Sequence, residues 1–154
     1  VNFNELIQNI SPETFSDVIA VSPRKVRESL YSHYGVKSKS LNFSWSVKDK
    51  KEQKVKQLHS CLKSAKNPRE QEFLKELFRN WLFHQRPMLK ATLDFLGVKN
   101  DDGLVEEETD FFKELSEPKV TELLNHLKPN FPKDNILIYL TFMEVPFLDK
   151  HLNF

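Results

Sequence analysis

The sequence predicts an all-α fold, a compact single-domain bundle of about six to eight short helices. Three observations point there. Apolar residues recur at helical spacing along most of the chain, prolines stand just after helix-capping residues, and one stretch alone, 41–47, alternates with a period of two. Thirteen Phe among 154 residues, with 39% apolar residues, supply ample core material.

Ser11-Pro12, Ser22-Pro23 and Asn67-Pro68 each read as an N-cap followed by a first-turn proline. Proline's missing N–H costs nothing there. Glu70 stands three residues after Asn67, the spacing of a capping box. Gly35 and Gly97 suit left-handed C-caps. The first helices are expected at about 3–9, 12–20 and 23–34.

In LNFSWSV, 41–47, Leu41, Phe43, Trp45 and Val47 alternate with Asn or Ser. A lone strand would leave both edges unpaired, so an extended segment tucked against helices is expected. From about 49 to 66 helical periodicity returns, with Val55, Leu58, Leu62 and Ala65 on one stripe. Residues 68–84 carry Phe73, Leu74, Leu77, Phe78, Trp81 and Leu82 on a broad face, the expected central helix. Arg86-Pro87 breaks or kinks the path before Met88, Leu89, Leu93 and Leu96.

VKNDDG, 98–103, is turn chemistry. A short helix is expected near 109–115 and another at 117–127, with Val120, Leu123, Leu124 and Leu127 at the spacing of one face. Residues 133–145 are apolar nearly all round and predict a buried helix, with a strand at 136–140 as the competing form. The tail keeps Phe147, Leu148 and Phe154 for docking. One domain over 1–154 results, with 1–35 as an N-terminal helical subdomain and 48–154 as the main bundle.

Composition narrows the functional classes. One cysteine, Cys61, excludes an internal disulfide framework and fits a reducing compartment, so a cytoplasmic location is expected. No apolar run reaches the eighteen residues of a membrane span, and the N-terminus lacks the basic start and apolar core of a signal peptide. Three glycines are too few for a Walker loop or a dinucleotide fingerprint. If Gly103 took the sixth place of a calcium loop, Val98 and Thr109 would stand where carboxylates belong.

His59 and Cys61, two apart on a helix, diverge by about 200°. Cys61 follows Leu58 by three and reads as a buried, inert thiol. Glu122 and His126 form a surface pair without a third ligand. His33 falls at the rim of a core. No catalytic, cofactor-binding or metal-binding residue, no cofactor, no membrane partner and no small-molecule substrate is assigned.

Charge is segregated. Residues 1–23 carry a net −3, residues 24–69 a net +10 and residues 70–154 a net −6, within a total of +1. The middle block either serves an anionic partner or meets the acidic parts on folding.

Residues 12–34 resemble a helix-turn-helix. Phe15 and Ile19 are apolar, Ser16 and Ala20 are small at the crowded places, and Val21 and Val26 suit the lock between helices. Ser29 departs from the pattern, with Leu30 beside it to compensate. With Val26 taken as the inward direction on a helix turning about 100° per residue, Arg24, Glu28 and Tyr31 point outward, flanked by Lys25 and Arg27. A second route to nucleic acid is 36–51, where Phe43 and Trp45 lie among Lys37, Lys39, Lys48, Lys50 and Lys51. Aromatics that stack bases between phosphate-holding cations make a single-strand site.

Two readings follow. The first is a non-enzymatic α-helical binding or scaffold domain that contacts a protein partner or a second copy of itself. The alternative is a nucleic-acid binder using 12–34 and the basic region 24–69. A third, an enzyme pocket near His84 and Arg86, would require a cleft where several polar side chains converge.

Overall fold

A computed structural model describes residues 1–36, 46–64, 67–106 and 110–153. Eight α-helices stand among them, with no strand. They are α1 (Phe3–Asn9), α2 (Pro12–Val21), α3 (Arg24–His33), α4 (Val47–Leu62), α5 (Pro68–Leu82), α6 (Arg86–Phe95), α7 (Glu117–Leu127) and α8 (Lys133–Phe142). The all-α expectation holds. The chain clusters into two units, Phe3–Trp81 and Leu82–Phe154 with Val1–Asn2.

In the first unit, α1, α2 and α3 each pack against α4. Ser11 Oγ accepts the Thr14 amide at 3.1 Å and starts α2 as its spacing implies. Asn67 and Glu70 complete a reciprocal capping box, with Asn67 Oδ1 accepting the Glu70 amide and Glu70 Oε2 the Asn67 amide. Ser22 does otherwise. Its hydroxyl donates back to the Ile19 carbonyl at 2.6 Å, leaving α3 without a side-chain cap. Leu74, Leu77, Phe78 and Trp81 of α5 are buried, and Phe3 stacks on Phe78 with centroids 5.7 Å apart.

The expected extended segment 41–47 lies mostly outside the described residues, and its last two positions open a helix. Ser46 is the N-cap of α4, its Oγ accepting the Asp49 amide, and Val47 is the first helical residue. A capping serine three residues before an aspartate outweighs period-two alternation there. Ala65, Thr109 and Phe154 also fall outside the described residues.

In the second unit, α6 packs against α7. Its helix begins at Arg86, two residues before the first expected apolar position, because Pro87 fits the first turn instead of breaking it. The helix expected near 109–115 is a single 3₁₀ turn, Asp110–Phe112. The run Ile136–Thr141 lies inside α8, so the helix and not the strand forms there, and all six residues are buried. Leu148 lies buried in a 3₁₀ turn, Leu148–His151, that docks on α8.

The turn NDDG closes tightly. Asp101 and Leu104 exchange backbone hydrogen bonds of 2.8 and 3.0 Å, and Asp102 and Gly103 between them both have positive φ, as a type I′ turn requires. No described helix is long and apolar enough to cross a membrane.

Candidate interaction site

The first unit offers a surface seam along α2 and α4. At one end is an opening of about 390 Å³ lined by Glu13, Asp17, Glu52, Lys56 and His59. At the other is a cleft of about 590 Å³ where α3 joins, lined by Arg24, Arg27, Tyr31, Lys51 and Lys54 together with Glu28 and Glu52. Ser16, Glu52 and Val55 border both, so the two openings form one continuous seam.

Local structure places these groups. α2 and α4 run antiparallel, since Pro12 and Glu13 share an opening with Lys56 and His59 while Ala20 shares one with Lys51. On α2, residues 13, 16, 17 and 20 fall on one side by helical spacing. His59 is the floor of the acidic end. Its ring is stacked on Phe15 at 4.6 Å, and its Nε2–H donates to the Ile7 carbonyl at 3.2 Å. Burial lowers its pKa below the usual 6.5, against the raising effect of that hydrogen bond.

The basic end is partly neutralised. Arg24 pairs with Glu28 at 2.7 Å, one turn along α3, and both are exposed. Arg27 donates to the Ser22 carbonyl at 2.9 Å. Lys48 lies 3.9 Å from Glu52. Lys54 sits over the Tyr31 ring, 5.6 Å from its centroid. Burial raises the Tyr31 pKa, opposed by the Arg27 charge. Lys25 and Lys51 are exposed, and Lys50 is half-buried. Lys37, Lys39, Phe43 and Trp45 lie outside the described residues.

Several members of the seam were not singled out from sequence. Glu13, Asp17, Glu52 and Lys54 carry no motif, and Tyr31, placed outward by the helical angle, is half-buried in the cleft. The one available signal was the acidic character of α2 set against the lysines of α4. Val21, expected to lock α2 to α3, is exposed at 37%. The two helices share less contact with each other than either shares with α4.

No protein-family model, curated protein or solved structure matches this chain.

The remaining titratable groups are dispersed. His33 stands 3.6 Å from Glu70 and packs its ring edge against Tyr34 and Phe73. Burial, then the Glu70 carboxylate, pushes the Tyr34 hydroxyl far above its usual range. Cys61 is half-buried, not fully buried as expected. Glu122 pairs with Lys119, while His126 stacks on Phe95 at 4.6 Å, so the expected Glu122–His126 pair gives way to other partners. Arg86 donates to the Phe83 and Asp102 carbonyls, and His84 is exposed. Among the described residues, no three His, Cys, Asp or Glu side chains gather as metal ligands would.

Proposed function

We propose that this chain is a non-enzymatic α-helical binding domain that acts through protein–protein contacts, with the α2–α4 seam as its contact surface. The observation that carries this reading is the mixed sign of the seam. Glu13 and Asp17 adjoin the cations at the far end, Glu52 stands between, and Glu28 neutralises Arg24. A phosphate backbone favours an uninterrupted positive track, whereas protein surfaces match charge point by point. His59, committed to the Ile7 carbonyl, acts as framework, while Arg27 is held by the Ser22 carbonyl and still lends its charge to the cleft.

The nucleic-acid reading retains one favourable observation. Arg27, Lys51 and Lys54 converge on one cleft, with exposed Lys25 on the adjoining helix. Titration of labelled duplex and single-stranded oligonucleotides at about 50 and 200 mM salt separates the two readings. Absence of binding at the lower salt is expected. Micromolar binding that weakens steeply with salt would replace the protein-contact reading. The positive test is capture of partner proteins by the wild-type chain but not by a Ser16→Arg/Ala20→Arg variant, which fills the seam with bulk. Identical capture by both chains would remove the seam from the function.

A further inference from the structure

The seam carries opposite charge at its two ends, and the inference drawn from this rests on the protein-contact reading above. At the α2 N-terminal end, Glu13 and Asp17 are exposed and outnumber Lys56, with Glu52 common to both openings. At the α3 end, Lys51, Lys54 and Arg27 outnumber Glu52 once Arg24 and Glu28 have neutralised each other. Neither Glu13, Asp17 nor Lys51 has an ion-pair partner among the described residues, so these charges are available to another molecule.

We propose that the α2–α4 seam is a self-association surface, which joins two copies of this chain about a twofold axis. A twofold axis that crosses a patch places it against itself with its ends exchanged. A patch of one sign would then repel itself, but a patch acidic at one end and basic at the other attracts itself at both ends. An axis passing near Ser16 and Val55, the residues common to both openings, sets Glu13 and Asp17 of each copy toward the cations of its partner. The middle of the surface suits close approach. Ser16 and Ala20 are small and one turn apart on α2, beside the half-buried Val55 of α4. Symmetry makes every charge count twice, so a modest surface gains two sets of attractions from one set of residues. The field between such exposed groups is screened beyond about 10 Å at 0.1 M salt, which makes the association sensitive to ionic strength.

Sedimentation of the full chain over a wide concentration range, at low and high salt, tests this directly. The wild-type chain is expected to dimerise and to weaken as salt rises. Glu13→Lys/Asp17→Lys makes both ends positive, and Lys51→Glu/Lys54→Glu makes both negative. Each variant alone should weaken the dimer by about tenfold or more, since attraction becomes repulsion at two symmetric places. An equimolar mixture of the two should form a heterodimer, which a mere loss of folding could not produce. Circular dichroism of each variant checks that its helices are intact. A wild-type chain that stays monomeric at every concentration would overturn the proposal, as would a dimer indifferent to both variants or a mixture that fails to associate. Oligonucleotide binding that Lys51→Glu/Lys54→Glu alone abolishes would also overturn it, by assigning the basic end to nucleic acid. A monomer that still captures partner proteins through Ser16 and Ala20 would leave the protein-contact reading standing and remove the homodimer alone.

Discussion

His59 donates its Nε2–H to the carbonyl oxygen of Ile7, 52 residues earlier in the chain, while its ring lies flat on Phe15. One imidazole therefore ties α4 to both α1 and α2. Burial favours its neutral form and holds its pKa below 6.5 in the folded state.

The pH dependence follows with a definite sign. Between the folded pKa and 6.5 the unfolded chain binds more protons at this site than the folded one, so stability rises with pH in that window. The contribution is fully present above about 6.5 and is lost as pH falls through the folded value. Urea unfolding midpoints of wild type and His59→Gln, compared from pH 7.5 to 5, should converge as the pH falls. Parallel curves would show that His59 has no part in the acid sensitivity. The comparison cancels the other four histidines.

Gly103 packs against α6 so closely that a Cβ on it would stand 2.7 Å from Leu89 Cβ and 2.9 Å from the Lys90 amide nitrogen. Its φ of +84° is also unfavourable for any side chain. Gly103→Ala should cost about 2–4 kcal/mol, from overpacking added to the backbone penalty. Gly35→Ala and Gly97→Ala, where nothing lies within 4 Å of the added Cβ, should lose only about 1 kcal/mol each. Thermal unfolding of the three variants gives the order. Equal losses would refute the close approach of the turn to α6.

Glu144 occupies the left-handed position just beyond α8, with φ +56°, where glycine is usual. The Val145 and Glu144 amides bond to the Leu140 and Thr141 carbonyls at 3.0 Å, completing a Schellman motif. Lys113 meets the Glu144 carboxylate at 2.9 Å, which offsets part of the strain. Glu144→Gly should raise stability by roughly 0.5 kcal/mol, and Glu144→Val should lower it by about 1 kcal/mol. A valine variant as stable as wild type would remove the strain argument.

Thr141 is buried on α8 with its Oγ1 unpaired among the described residues. An unsatisfied buried hydroxyl costs about 1–3 kcal/mol, and valine has the same shape without it. Thr141→Val should therefore raise the unfolding temperature; a lower value would mean that the hydroxyl has a partner in solution.

Helix signals were legible because they are local. Ser11 with Thr14, Asn67 with Glu70, and Gly97 with the Val98–Leu93 bond each act within six residues, and each forms as its spacing implies. Where two local signals competed, sequence alone could not weigh them. Ser22 resembled Ser11, yet its hydroxyl turned back to Ile19 and left α3 without a side-chain cap. Val47 alternated with its neighbours, yet Ser46 and Asp49 recruited it to a helix.

By itself the sequence determined an all-α chain, the placement of most of its helices, the Asp-Gly turn and the excess of cations in its middle third. The tertiary structure decided which charges became neighbours. Arg24–Glu28 lies within one helix and could be counted in advance, but the meeting of Glu13 and Asp17 with α4, and of Lys54 with Tyr31, depends on how helices distant in the sequence face each other. Helical periodicity is written residue by residue in backbone geometry. A surface shared by two helices is fixed only when their buried faces (Phe15 and Ile19 on one, Leu58 and Leu62 on the other) leave water and set the rotation of each exposed face.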